Sequence, residues 1–229
     1  MVEKPTGFPR KRATGGAGGG ELRPLPELLL DRRATRSFKP DAVPDEYVRA
    51  IVELGLQAPS GYNLQPWRFV VVREPENRQR LMRAAFNQSK VGEAPVVVIA
   101  CGLKDGWRQT AEEVFREGAQ RRAGSRDWEK YMQGAMQFLG TQAMNAWVTK
   151  HTMIAFTTMM YVAEAYGLDT APMEGFDAAA VKKEFGIPDD AEVVALLAIG
   201  FAQGDDKPYG GRFETGRVVF AERFGTPWD

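Results

Sequence analysis

A chain of 229 residues, 44% of them hydrophobic, is long enough to bury one good core and short for two full domains. Its thirty basic and thirty acidic side chains cancel, which removes the electrostatic case for nucleic acid or an anionic membrane surface as the main partner. One cysteine, Cys101, and one histidine, His151, exclude a disulfide framework and paired-histidine metal sites, and make a serine or cysteine triad hard to assemble. No apolar run approaches the roughly 20 residues that span a bilayer. The basic start at Arg10, Lys11 and Arg12 is followed by GGAGGG rather than by the apolar stretch of a secretory signal, so the expected location is the cytoplasm.

Residues 1–22, rich in Gly, Pro and charge, read as a flexible arm, and residues 23–229 as one globular domain. Apolar periodicity begins at 25–33 and continues with Tyr47, Ile51 and Leu54 on one helical face, after Pro44 and Asp45 at a helix start. Residues 69–72, 96–100 and 193–201 are apolar and β-branched, as buried central strands are. Long helices are expected over 109–122, 128–139 and 145–166. The last is apolar on nearly all faces and belongs in a core or at a subunit interface. A short helix over 177–185 starts at an acidic cap, and the tail 204–229 is too polar to fold alone, so it should lie against the body or a partner. The order of elements gives an α+β fold and not a regular βαβ series. His151, beside the apolar helix, reads as structural.

The most informative segment is 58–67, APSGYNLQPW, between a helix and a strand. Pro59, Gly61 and Pro66 fix or free the backbone, while Asn63 and Gln65 each offer a donor and an acceptor, a combination suited to a flat polar ligand. Arg32, Arg33 and Arg36 in DRRATRSF can bring two guanidinium groups to one side of a helix end and clamp a phosphate; a solvated basic face is the alternative. In FNQSK, Asn87 can pair with an imide edge and Lys90 can supply positive charge. In APMEGF, Glu174 and Gly175 can expose successive backbone N–H groups, although a plain turn after a helix is the default for a single EG pair. Arg212 in PYGGRFETGR can reach an anion, with Lys207 and Arg217 as competitors. These are the parts of a flavin mononucleotide (FMN) site. GGAGGG lacks the strand and helix of a dinucleotide loop, so a nicotinamide substrate would have to dock on the flavin itself.

Five motifs in order, RRATR, APSGYNLQPW, FNQSK, WVTKHTMIAF leading into GLDTAPMEGFD, and a late strand with an arginine-bearing tail, resemble the flavin-dependent nitroreductases of the bacterial oxygen-insensitive type. The resemblance covers about residues 25–220. It implies a mixed, mostly antiparallel sheet flanked by helices, in an intertwined homodimer with an FMN at each interface site, NADH or NADPH as donor, and a nitroaromatic, quinone or related small molecule as acceptor. On this pattern Arg32 and Arg212 bind the phosphate, with Arg33 or Lys207 as further charge, and Arg36 reaches the ribityl or pyrimidine end. Asn87 and Lys90 hold the pyrimidine edge, and Met173, Glu174 and Gly175 address the N5 and O4 side through backbone groups. Pro59, Ser60, Gly61 and Asn63 come from the other subunit, while Trp67 and Trp147 serve packing. No side-chain acid or base is required. Two departures stand out: Ala34 replaces the family's usual serine, so Thr35 or Ser37 would have to supply its hydrogen bond, and Gly210 stands where a lysine is common. The same scaffold also supports dehalogenation, flavin fragmentation, enone or semialdehyde reduction, and non-catalytic flavin binding; residues 104–140 are the expected lid that selects among acceptors.

Overall fold

The apolar runs of the sequence meet in one sheet. The computed structural model describes residues 22–121, 127–204 and 208–228. Within them, β1 (Trp67–Val72), β2 (Val96–Leu103), β3 (Asp169–Met173) and β4 (Ala191–Gly200) lie in the order β1-β2-β4-β3. All three pairings are antiparallel, with Phe69 opposite Ala100, Val98 opposite Leu197 and Thr170 opposite Ile199. The parallel component is an isolated bridge from Ala34 to Thr170, on the outer edge of β3.

β2 shows why the central runs are continuously apolar. Val97, Ile99 and Cys101 enter one buried cluster, whereas Val96, Val98 and Ala100 enter the other. Both faces are covered, so neither half of the alternation can be polar. The first face carries α3 (Pro75–Ala84), α4 (Ser89–Glu93) and α8 (Ala178–Phe185), through Leu81, Val91 and Val181. The second carries α2 (Asp45–Gly55) and the long α7 (Met144–Ala165), through Ile51, Phe156 and Met159. At Gly55 a Cβ would lie 2.2 Å from Met159 Cγ, so α2 can approach α7 this closely only with glycine there.

α5 (Gly106–Arg121) and α6 (Trp128–Gly140), the expected lid, build a third cluster that buries Trp107, Leu139 and Trp147 with Leu64. α1 (Leu25–Asp31) packs on α7, and the two leave an apolar groove of about 740 Å³ lined by Leu25, Leu28, Met153, Ile154 and Tyr161, among others. One side of α7 is therefore core, as its composition requires, and the other side is open in the single chain. The tail carries a short α9 (Thr215–Val218) and leaves Phe213, Val218, Phe224 and Trp228 exposed.

Two expectations change and one helix is added. The segment after α7 is not simply a turn: Asp169–Met173 is the edge strand β3, and it includes Pro172, which an edge tolerates because its missing N–H costs no central ladder bond. α3, polar and half exposed, lacked an apolar period that would announce it. Arg32–Arg36 does not end a helix: α1 stops at Asp31, and Arg32, at φ −55° and ψ 128°, begins an extended segment. The Gly-rich arm lies, but for Leu22, outside the described residues, as does Lys207. No helix among the described residues is long and apolar enough to cross a membrane.

Candidate active site

The extended segment after α1 runs beside β3. The Thr35 N–H donates to the Thr170 carbonyl at 2.9 Å, and the carbonyl of Ser37 accepts Gln203 N–H at 2.9 Å. Arg32 is half-buried, and its Nη1 is buried without a hydrogen-bond partner among the described residues. Burying a guanidinium donor with nothing to receive it is costly, and Arg23 Nε is in the same condition.

Arg33 is engaged differently. Its Nη1 donates to the carbonyls of Leu30 (2.9 Å) and Arg32 (2.8 Å), and its guanidinium lies 4.6 Å from the centre of the Tyr209 ring. It thus caps the C-terminal end of α1, where carbonyls lack helical partners and attract a cation. Arg212 lies 5.8 Å from the same Tyr209 ring and donates to the Gly211 carbonyl at 2.7 Å. Tyr209 is therefore what brings the tail's arginine to the first motif. Arg36 is exposed beyond them. Of the two hydroxyls that could stand in for a serine at Ala34, that of Ser37 donates to Glu93 Oε2 at 2.8 Å, whereas that of Thr35 is buried and unpartnered among the described residues.

Glu93 also ties this segment to α4, because its Oε2 accepts the Phe38 N–H at 3.1 Å. FNQSK leads into that helix through two consecutive left-handed residues, Phe86 (φ 54°) and Asn87 (φ 55°), an arrangement held by the Asn87 N–H on the Met82 carbonyl at 2.9 Å. Gln88 Nε2 then donates to the Gly175 carbonyl at 2.7 Å. The loop after β3 is further fixed by the Asp177 N–H on the Ala84 carbonyl at 2.8 Å. Asp177 is the expected acidic cap: its Oδ1 accepts the N–H groups of Ala179 (2.9 Å) and Ala180 (3.1 Å). Glu174 and Gly175 are left exposed between these anchors, while the Met173 side chain is 6% exposed in the core, so only its backbone is available to a ligand. Arginines, FNQSK and the Glu174-Gly175 loop thus converge on one edge of the sheet. Gln88 and Tyr209 are the residues that sequence reasoning missed. The first was visible as an amide inside a chosen motif, but its partner is remote in the chain.

The 59–63 loop is built elsewhere. Gly61–Asn63 forms one 3-10 turn, with Tyr62 (φ 56°), Asn63 (φ 57°) and Gln65 (φ 46°) in left-handed conformations. Three such non-glycine residues close together store strain, of the kind that clusters at binding sites. Ser60 Oγ accepts the Gln65 N–H at 3.0 Å and Gln65 Nε2 donates to the Asn63 carbonyl at 3.1 Å, so both side chains hold the turn from within. Gly61 is placed by contact rather than by conformation: a Cβ there would lie a tight 3.2 Å from His151 Nε2 and 3.4 Å from Trp147. Tyr62 points into α5 and α6, where its ring meets Phe115, Tyr131 and Phe138 at 6.1 to 6.4 Å. A cavity of about 450 Å³ opens beside Pro59, Ser60, Tyr62 and Asn63, facing Phe115, Trp128 and Tyr131. Pro66 and Trp67 are buried, as expected of the structural end of the motif.

α7 separates the two regions. The loop packs against His151, whereas the arginine segment meets Thr170 and, through it, Glu164 near the other end of the helix. At 1.5 Å per residue these positions are roughly 20 Å apart along the axis. His151 packs edge-on against Trp147 at 4.5 Å, and its pKa is lowered, first by burial and then by Lys150, so it is neutral near pH 7. Glu164, 6% exposed, has its pKa pushed up to about 7, chiefly by burial.

A family model described as the nitroreductase family matches residues 29–201. A protein of Thermus thermophilus named NADH dehydrogenase is 38% identical over 180 residues, which cover 78% of this chain and 87% of that protein. Among solved structures, the ydfN protein of Bacillus subtilis is 28% identical with a TM-score of 0.80, over 86% of this chain and 97% of that one. A structure from Exiguobacterium sibiricum in complex with FMN superposes with a TM-score of 0.79 at 23% identity, over 89% and 99% of the two chains, a likeness of fold. With most of its length matched by the family model, the chain belongs to the nitroreductase family.

Proposed function

We propose that the protein is an FMN-dependent oxidoreductase that draws electrons from NADH or NADPH and reduces a nitroaromatic, quinone or related small acceptor, in a cytoplasmic setting. The observation that carries the reading is the buried, unpartnered Nη1 of Arg32 at the edge where three other ligand-type segments converge. The residues present fit the cofactor: cationic groups for a phosphate, an amide and a lysine for a pyrimidine edge, and exposed backbone on a pinned loop. The name of the Thermus relative supports a nicotinamide donor, and the FMN complex of the Exiguobacterium structure supports the flavin.

Bound flavin would supply the redox chemistry, accepting hydride at N5 from the nicotinamide and passing it to the acceptor in a ping-pong cycle. Arg32 and Arg212 hold the phosphate through charge-assisted hydrogen bonds, and Arg33 adds charge while capping α1. Asn87 and Lys90 orient the pyrimidine side, where the lysine stabilises negative charge. Gln88 keeps the Glu174-Gly175 backbone in place. In this reading Pro59, Ser60, Gly61 and Asn63 wall the ring from a second copy of the chain, since within one chain they stand far from Arg32 along α7. The apolar α1–α7 groove and the exposed aromatic residues of the tail are the surfaces such a dimer would cover.

Purified protein is expected to be yellow or to become so with FMN, and to bleach anaerobically with NADH or NADPH. Arg32→Ala should weaken FMN retention by about 1.5–3 kcal/mol, the range for hydrogen bonds to charged groups. Protein that stays colourless with added FMN sinks the reading. A yellow protein that neither nucleotide bleaches would leave flavin binding without turnover.

A further inference from the structure

The arginine segment and α4 reach the candidate site from different parts of the fold, and each is anchored separately. The segment is tied to the sheet: the Thr35 N–H donates to the Thr170 carbonyl at 2.9 Å, the Lys39 N–H to the Phe201 carbonyl at 2.8 Å, and the Gln203 N–H to the Ser37 carbonyl at 2.9 Å. α4, five residues long, is too short to hold its own shape. It is fixed from α3, where Arg78 Nη1 donates to the carbonyls of Gly92 and Ala94, each at 2.8 Å, while its Nε donates to the Arg73 carbonyl at 3.1 Å.

Glu93 joins the two. Its Oε2 accepts both the hydroxyl of Ser37 at 2.8 Å and the N–H of Phe38 at 3.1 Å. A carboxylate acceptor makes these the stronger kind of hydrogen bond, and two donors on one oxygen fix a direction as well as a distance. Phe38 also packs in the same buried cluster as Val91 of α4, but apolar contact has no direction and sets no register. On α4, Glu93 stands three residues after Lys90, so the two lie on one side of the helix. Along the segment, Ser37 directly follows Arg36 and lies five residues beyond Arg32. The carboxylate thus stands between two groups of ligand-type residues.

We propose that Glu93 is a positioning residue that sets the separation between the two ends of the flavin site, the phosphate end at Arg32 and the pyrimidine end at Asn87 and Lys90. This rests on the reading of those residues as ligands of one FMN. A ligand held at both ends gains affinity from both only if the half-sites stand at the distance it spans; when they drift, each end binds at the expense of the other. A carboxylate cannot itself attract a phosphate, so what Glu93 contributes is the geometry of its two bonds. It touches no reacting atom.

The test compares FMN with riboflavin, which lacks the phosphate, by fluorescence titration of the apoprotein. The ratio of FMN to riboflavin affinity reads how well the phosphate end is reached once the ring is bound. In Glu93→Ala that ratio should fall at least about tenfold, with riboflavin affinity little changed. Glu93→Gln keeps an acceptor oxygen at the same reach and should hold the ratio near the wild-type value. Ser37→Ala removes one of the two bonds and leaves the carboxylate, so it should give a smaller fall, and it stands in if Glu93→Ala folds poorly. Combining Glu93→Ala with Arg32→Ala should lower the ratio no further than Arg32→Ala alone, since both act on the same end. A residue that merely supported the fold would weaken both flavins in proportion and leave the ratio level, and that result overturns the proposal. An equal fall in Glu93→Gln and Glu93→Ala overturns it too. A ratio that Arg32→Ala leaves at the wild-type value removes the phosphate reading instead, and is seen without touching Glu93.

Discussion

At the β3 edge, Arg32, Gln88 and Gly175 are brought together by hydrogen bonds between segments far apart in one chain, whereas the 59–63 loop is shaped by its own strained turn and by contact with His151, Trp147 and the α5–α6 aromatics. The first region has a buried donor still to be satisfied. The second has its backbone and hydroxyl already bonded internally, and presents the exposed Asn63 beside an open cavity. On the proposed reading the first would hold charge and the second present a wall, and their separation along α7 is the argument for assembling them from two chains.

Subunit mixing tests that separation most severely. Arg32→Ala and Asn63→Ala dimers should each bind FMN poorly, because every site carries one defect. If the two residues serve one flavin from opposite chains, random mixing of equal amounts should restore about a quarter of the wild-type sites, since half the dimers would be mixed and each would own one intact site. Recovery would be read as tightly bound flavin per chain. No recovery would mean that the wall and the cation edge meet some other way.

A smaller effect probes the wall by itself. In Gly61→Ala the new methyl would meet His151 Nε2 at 3.2 Å and Trp147 at 3.4 Å, contacts tight enough that the ring or the loop has to shift. The backbone at this glycine is not left-handed, so the cost is steric alone. A loss of about 1–3 kcal/mol in unfolding free energy is expected, the usual cost of overpacking, with weaker flavin binding as the loop moves. Stability lost with flavin affinity intact would show that the loop does not wall the cofactor.

The two regions also differ in how far the sequence disclosed them. β1, β2, β4 and α7 were legible because burial on both faces leaves runs such as VVVIAC without polar interruption. β3 was not, because DTAPM has neither period nor β-branched density, and pairing with β4 decides its conformation. The convergence of Asn87, Lys90, Glu174 and Gly175 was named from motif chemistry, but the bond that enforces it, Gln88 to Gly175, joins residues that no local pattern connects. Spacing suggested a clamp of Arg32 with Arg36 at a helix end, whereas α1 stops at Asp31, Arg36 lies at a bend, and the helix end claims the Nη1 of Arg33. Gly61 was chosen for its freedom, whereas in the structure it is its lack of a side chain that lets His151 and Trp147 pack closely. Glu164 left a faint sign, one acid in an apolar helix, and the structure gives it the buried Thr170 hydroxyl as its partner.

The smallest change asks whether the cation edge depends on the helix that follows it. Asp177→Ala removes the carboxylate that accepts the N–H groups of Ala179 and Ala180, leaving the start of α8 to water. Loss of an N-cap of this kind costs typically about 1 kcal/mol. The Glu174-Gly175 loop should nevertheless stay in place, because the backbone bond from residue 177 to Ala84 and the Gln88 side-chain bond to Gly175 both survive the substitution. Thermal unfolding of the apoprotein should therefore begin a few degrees lower, with FMN affinity unchanged. A parallel fall in affinity would mean that α8, and not the two bonds to residues 84 and 88, holds the loop, and the contrast between a hydrogen-bonded edge and a strained wall would lose its first term.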